Sequence, residues 1–457
     1  MKTRKEKDSV GELSIPADAY YGVQTQRGYN NFQISGRRMD ATFIKNITLI
    51  KKAAAKVNGK YGYVSKGIEE AICAACDEIL EGKFDEHFIT DAIQGGAGTS
   101  VNMNVNEVIA NRATELLGGK KGEYLCHPND HVNMAQSTND VIPTAGKMTT
   151  LDLAAALLDS LDKLIAALNQ KSVEFDNVIK MGRTQLQDAV PIRLGQEFKA
   201  YADAFKRDHA RIKSTLHEMH VVNLGGTAIG TSLNAQEDYL KNIVPVLAEE
   251  CGYPLEQAED LIDSTQNVDC FVAVSAVLKA CAVNLSKMSN DLRLMSSGPK
   301  TGLGEIILPA KQNGSSIMPG KVNPVIPEVV SQVAFLVIGN DMTVSMAAEG
   351  GQLELNAFEP IIFYKLFESL TCLTNAIKTL TVNCIEGIKA NVKRCEELLH
   401  SSVGVVTALC PYIGYKKAAE IAKEALKRDM KVKDLVLWYG LMDREELERI
   451  LDPYEMT

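Results

Sequence analysis

Three stretches of the chain repeat apolar residues at alternating steps of three and four. Leu151, Ala154, Leu158, Leu161, Ile165 and Leu168 form the first, and Leu278, Cys281, Leu285, Met288, Leu292 and Met295 the second. Phe363, Leu366, Leu370, Leu373, Ile377, Leu380 and Cys384 form the third. This spacing places each set on one face of a helix and favours near-parallel packing of long helices. Each pattern predicts a helix of about 30 residues, roughly 45 Å at 1.5 Å per residue. Two further helices are predicted at about 192–221 and 327–348, completing a bundle. Val272, Val274, Val277 and Val283 make a second apolar face on the helix of the second heptad stretch. A helix that is apolar on two sides is covered on two sides, so a homo-oligomer is expected through this bundle.

The flanks read differently. Residues 1–139 are expected to form a mixed, mostly helical domain, 140–394 the long-helix bundle, and 395–457 a small helical domain. In the first, helical patterns at about 40–60, 66–82 and Asn102–Leu117 are separated by the glycine-rich turn Gln94-Gly-Gly-Ala-Gly-Thr99. In the last, Ala418–Leu426, Val432–Tyr439 and Arg444–Leu451 are short helical patterns broken by Gly414 and Gly440. The fold class is mainly α.

Composition narrows the function. A net charge of −9 argues against nucleic acid or an anionic membrane as partner, but leaves room for a small anionic substrate held by local donors. The N-terminus, Met1 to Asp8, is charged and lacks a signal-peptide core, and no uninterrupted apolar run approaches the roughly 18 residues of a membrane span. A cytoplasmic protein is expected. Cys73 and Cys76 form a C-x-x-C inside a predicted helix with no second pair near it, which reads as buried thiols rather than zinc ligands. His217 and His220 read as surface or packing residues. No metal ligand set and no cofactor motif is found, so neither is expected.

Four polar clusters interrupt the apolar pattern: Gly98-Thr99-Ser100, Ser137-Thr138-Asn139, Gly182-Arg183-Thr184-Gln185, and a loop running from Gly314 to Pro324. That loop, Gly314-Ser315-Ser316-Ile317-Met318-Pro319-Gly320-Lys321-Val322-Asn323-Pro324, holds two glycines and two prolines and cannot be regular structure. It is not a phosphate loop: five residues separate Gly314 from Gly320, and Val322 stands where a magnesium-binding hydroxyl is required. Hydroxyls, amides and one ammonium are suited to holding carboxylates and an amino group by directed hydrogen bonds. Each cluster has a plainer reading. Ser137-Thr138-Asn139 resembles a helix N-cap, Gly98-Thr99-Ser100 a helix entry, Thr184-Gln185 an ordinary loop, and Lys321 a solvated charge.

Taken together, these residues resemble the aspartase/fumarase superfamily over the whole chain. The Gly314–Pro324 loop is similar to its signature, and Gly225-Gly-Thr-Ala-Ile-Gly-Thr231 to a second family stretch. Within the superfamily the chain is most similar to the aspartate ammonia-lyases, by Gln94–Ser100, Asn133–Asp140, the loop with its continuation to Val330, and the ending Asp452-Pro-Tyr-Glu-Met456. The resemblance implies a three-domain fold and a homotetramer with a 20-helix core, each active site shared among three subunits. It implies reversible deamination of L-aspartate to fumarate and ammonia through an enediolate. Ser315 would act as an alkoxide base removing the C3 proton. Ser316, Lys321 and Asn323 would bind carboxylate oxygens. Ser137, Thr138 and Asn139 would hold the other end, and Thr99, Thr184 and Gln185 would surround the amino group. Gln185 stands where fumarases and many aspartases carry His, a departure that weakens a fumarase reading. His127, Asn129 and Asp130 match a secondary anion site of fumarases. The alternatives are a class II fumarate hydratase, or a helical scaffold of the same fold without activity. Argininosuccinate and adenylosuccinate lyases share the fold, but no apparatus for their larger substrates is seen. Lyases with an internal Ala-Ser-Gly electrophile are excluded, since the triplet is absent.

Overall fold

Helices dominate the computed structural model, which describes residues 2–452, 454, 456 and 457. Met1 and, within the closing segment, Pro453 and Glu455 lie outside the described residues. The chain opens with an antiparallel hairpin, β1 (Thr3–Lys7) and β2 (Glu12–Pro16), in the register Thr3↔Pro16 to Lys7↔Glu12. Helices α1 (Val23–Asn31), α2 (Ala41–Lys60), α3 (Lys66–Leu80) and α4 (Thr99–Leu116) follow, then α5 (Thr138–Glu174), 37 residues long. A second hairpin, β3 (Ile179–Thr184) with β4 (Gln187–Arg193), leads into α6 (Leu194–Thr215). Next come α7 (Glu237–Cys251), α8 (Leu261–Gln266), α9 (Asp269–Met295), α10 (Val325–Glu349) and α11 (Glu359–Asn383). Short helices close the chain: α12 (Val392–Ser401), α13 (Cys410–Ile413), α14 (Tyr415–Arg428), α15 (Val432–Trp438) and α16 (Arg444–Ile450).

All three heptad stretches lie within α5, α9 and α11, apart from Cys384, which follows the last turn of α11. The helix expected at 192–221 begins at Leu194, because the two residues before it complete β4, and it ends at Thr215, where Leu216–His220 tighten into a 3-10 turn. Cys73 and Cys76 lie in α3 as free thiols.

The chain divides into two compact units. One comprises Met1–Leu158, Arg211–Lys279 and Leu336–Cys372, the other Asp159–Ala210, Ala280–Phe335 and Leu373–Thr457. In the first, Phe363 is the hub of an aromatic core, with ring centroids 5.1 Å from Phe271, 5.4 Å from Phe43 and 5.7 Å from Phe367. Gly146 lies against the Phe363 ring, where a Cβ has no room. In the second, Phe175 and Phe198 meet edge to face, and Leu409, Ile421, Leu435, Val436 and Leu447 form a separate buried cluster joining α14, α15 and α16.

Helices α9 and α10 are long and apolar enough to cross a membrane by length and composition, with mean hydropathy of 1.5 and 1.4 over their best 18-residue windows. Neither is an uninterrupted apolar run: Ser275, Lys279 and Asn284 fall within α9, and Ser331, Gln332, Asn340 and Asp341 within α10. Half of the α9 window and 39% of the α10 window are buried within the chain. On α10, Phe335, Ile338, Met342 and Met346 are left exposed at helical spacing.

Candidate active site

The loop from Gly314 to Pro324 closes on itself. The Gly314 N–H donates to the Lys321 carbonyl at 2.8 Å, and Asn323 Nδ2 donates to the Gly314 carbonyl at 2.8 Å. A Cβ at Gly314 would lie 2.7 Å from the Lys321 oxygen and 2.8 Å from the Asn323 nitrogen, so the neck requires glycine for space. Gly320 supplies the left-handed turn, with φ +78°. Within this frame the N–H groups of Ile317 and Met318 both donate to Ser315 Oγ, at 3.2 and 3.0 Å. Two fixed amide donors on one hydroxyl oxygen favour negative charge there. Ser315 is half-buried, Ser316 and Lys321 are exposed, and Lys321 has no ion-pair partner among the described residues.

The second group starts α5. Ser137 caps the helix, its Oγ accepting from the Asn139 N–H at 3.2 Å, and Asp140 Oδ1 accepts from the Ser137 N–H at 2.9 Å, a reciprocal capping box. Asp140 Oδ2 accepts from the N–H groups of Gly225 and Thr227, at 3.1 and 3.0 Å, which ties the second family stretch to this helix start. Burial pushes the Asp140 carboxyl up to about 6, against the pull of these three N–H donors and of Lys51. Pro143 cannot donate to the Asn139 carbonyl four residues earlier, and Asn223 Nδ2 takes that acceptor at 3.0 Å. Asn139 Nδ2 in turn donates to the Ala228 carbonyl at 2.7 Å.

Beneath this segment lies a polar network that sequence reasoning did not single out. Lys51 is fully buried, and Nζ donates to Asn133 Oδ1 and Gln136 Oε1 at 2.8 and 2.9 Å. Burial brings its ammonium down to about 7. Asn102 Nδ2 bridges Asn133 and Thr138 Oγ1 at 3.3 and 3.2 Å. The available signal was Asn102, Asn104 and Asn106 in one helix, a residue type disfavoured in helix interiors unless its side chain has a partner.

Thr99 is the first residue of α4, after Gly98 at φ +90°. Its hydroxyl donates to the Gly96 carbonyl at 2.7 Å, leaving the oxygen lone pairs to accept. The polarity of Ser137 and Thr138 is opposite: each hydroxyl oxygen already accepts one bond and keeps its O–H to donate. Thr184 and Gln185 lie at the exposed tip of the β3–β4 hairpin. Gln185 and Leu186 both sit in the left-handed region, at φ +54° and +63°. For non-glycine residues this costs about 1–2 kcal/mol each, the kind of strain that gathers at functional sites.

In the first unit the helix that Thr99 opens is joined to the start of α5 by the Asn102–Thr138 hydrogen bond. The second holds the hairpin tip and the Ser315 loop, and among the described residues no hydrogen bond joins those two. His127 serves as a cap: its Nδ1 accepts from the N–H groups of Asn129 and Asp130, at 3.3 and 3.1 Å. With Asn129 and Arg27 it lines a cavity of about 580 Å³ in the first unit. Among the described residues no group of three His, Cys, Asp or Glu side chains is placed to hold a metal ion.

Comparison with known proteins decides the lineage. The family described as Lyase matches residues 11–339, and that described as Fumarase C C-terminus matches residues 405–457. An aspartate ammonia-lyase of Bacillus subtilis is 53% identical over 99% of this chain and 96% of its own length. The aspartate ammonia-lyase of Escherichia coli is 49% identical over 98% and 94%. The chain belongs to the aspartase/fumarase superfamily. Among solved members, a fumarate lyase (delta crystallin) of Brucella melitensis bound to cobalt superposes with a TM-score of 0.96 at 50% identity, covering 100% of this chain and 99% of that one. A class II fumarase of Schistosoma mansoni superposes equally well, at a TM-score of 0.96 and the same coverage, but at 36% identity. The fold is thus shared with a class II fumarase, while identity to the aspartate ammonia-lyases, 53% and 49%, is higher than the 36% to that fumarase.

Proposed function

We propose that this carbon–nitrogen lyase is an aspartate ammonia-lyase, converting L-aspartate reversibly to fumarate and ammonia. The observation that carries the mechanism is Ser315, whose Oγ already accepts from two backbone amides. The C3 proton of aspartate is weakly acidic, and its removal requires a strong base and a sink for charge on the adjacent carboxylate. Ser315 acts as that base in alkoxide form, its charge held by the Ile317 and Met318 N–H groups in a site drier than bulk water. Ser316, Lys321 and the second N–H of Asn323 bind carboxylate oxygens. Ser137 and Thr138 donate their free O–H groups, and Asn139 its remaining amide N–H, to the carboxylate that becomes the enediolate. Thr99, with its lone pairs turned outward, accepts from the substrate ammonium together with Thr184 and Gln185. An amide oxygen at 185 suffices for that contact and supplies no imidazole acid. The glycines of the loop let it open to release product.

We propose a cytoplasmic homotetramer with a 20-helix core and sites shared among three subunits. The three-part division at residues 139 and 394 belongs to the same proposal. The uncovered apolar stripe on α10 supports the assembly, since an exposed row of Phe335, Ile338, Met342 and Met346 calls for a partner surface. The function is tested by following fumarate absorbance in the ultraviolet. Activity with L-aspartate and none with L-malate is expected. Activity with malate alone would make the chain a fumarate hydratase, and none with either would make it a scaffold.

A further inference from the structure

The β3–β4 hairpin is a two-stranded sheet, an element that is marginal on its own in water. Its tip carries two strained residues and is exposed, so its geometry is imposed from the stem. The stem is held by ions. Glu305 is fully buried, and its backbone is fixed by bonds to the Met295 carbonyl (2.9 Å) and from the Asn391 N–H (2.8 Å). Its carboxylate meets Arg183 Nη1 at 2.8 Å and Lys180 Nζ at 3.3 Å. Lys180, itself buried, continues to Glu197 on α6 at 2.9 Å. Across the strand pair Asp188, opposite Arg183, accepts from Ser402 Oγ at 2.7 Å.

One irregularity makes this possible. Residues three apart on a regular strand face opposite sides, yet Lys180 and Arg183 reach the same carboxylate. The register shifts between Met181 and Arg183, and that bulge reverses the parity of the strand. It is built at Gly182, where a Cβ would lie 2.7 Å from the Val190 carbonyl oxygen. A buried ion set of this kind is weak evidence of net stability, and removing one member leaves an uncompensated buried charge. Arg183 immediately precedes Thr184.

We infer that Arg183 and Glu305 are positioning residues that fix the Thr184–Gln185 turn against the amino group of the substrate. This rests on the proposal that Thr184 and Gln185 surround that group. The reverse reaction separates the two ends of the site, because fumarate and ammonium then have separate KM values. Glu305→Gln, with a native circular dichroism spectrum, is expected to raise the ammonium KM about tenfold or more while the fumarate KM moves less than about threefold. Arg183→Met is expected to behave alike, and Arg183→Lys, which keeps the charge, to recover most of the loss. Thr184→Ala and Gln185→Ala are measured alongside. If neither alters the ammonium KM, the placement of the amino group is wrong and the positioning role falls with it. If they do and the Glu305 and Arg183 variants do not, or if the latter raise both KM values equally, the positioning role alone is overturned. Should Glu305→Gln fail to fold, Arg183→Met carries the same test, since Glu305 then keeps Lys180.

Discussion

Gly314→Ala tests whether closure of the Ser315 loop is required for activity. Gly314 is not in the left-handed region, so alanine is penalised there by space alone. The new methyl would lie 2.7 Å from the Lys321 oxygen and 2.8 Å from the Asn323 nitrogen, too close for either to remain. Both neck bonds, Gly314 N–H to Lys321 and Asn323 Nδ2 to Gly314, lengthen or break. At a net worth of about 0.5–1.5 kcal/mol each, the closed loop is disfavoured by about 1–3 kcal/mol. If only the closed loop aligns Ser315 with its two amides, kcat falls by about 5- to 150-fold. The loop is exposed and outside the core, so the melting temperature is expected to hold. Initial rates of fumarate formation at saturating aspartate, with a thermal melt on the same sample, provide the measurement. A kcat within twofold of wild type, or a loss matched by a fall in melting temperature, refutes the reasoning.

Ser315→Ala is expected to lower kcat by about 10³-fold or more, the upper range for removing a general base, without altering assembly by light scattering; near-wild-type turnover would remove the base assignment. Phe335→Glu places a charge in the uncovered stripe on α10 and is expected to dissociate the proposed tetramer at micromolar concentration, by the loss of about 1.5–3 kcal/mol of apolar burial per protomer; an unchanged sedimentation profile would show that the stripe is not an interface. Glu359 is fully buried, neither carboxylate oxygen has a hydrogen-bond partner among the described residues, and burial raises its carboxyl well above 4.5. Its folded-state pKa therefore exceeds the unfolded one, so wild-type stability is full below the ordinary glutamate range and declines as pH rises above it. Glu359→Gln removes that dependence, and its melting temperature relative to wild type is expected to climb between pH 5 and 8; a constant difference would count against a buried neutral acid.

What could be read from the chain without coordinates was what one element expresses by itself. The heptad steps in α5, α9 and α11 are local, and so are the glycines and prolines that make the Ser315 loop irregular. The hairpin β1–β2 was not legible. Its strand Thr3-Arg-Lys-Glu-Lys7 has no apolar alternation, and it is ordered by Arg4 donating to the carbonyls of Pro16, Ala19 and Tyr21 and by buried Glu6 accepting from the Val23 N–H. Helix α7 was missed because Pro245 interrupts its pattern, though Tyr239, Ile243, Val244 and Leu247 are buried. At the candidate site, the residues facing outward could be nominated from the sequence by their chemistry. Lys51, Asp140 and Glu305 were not, since each is defined by partners 80 or more residues away.

The hairpin apex has a consequence for how this enzyme could diversify. If the Arg183–Glu305 clamp sets the curvature at Gln185, as inferred above, that position resembles an interchangeable tool tip on a fixed handle. Exchanging one polar group for another there alters what is presented to an incoming amine without rebuilding anything beneath it. Selectivity toward nitrogen nucleophiles could then drift in single steps while the framework stays as it is.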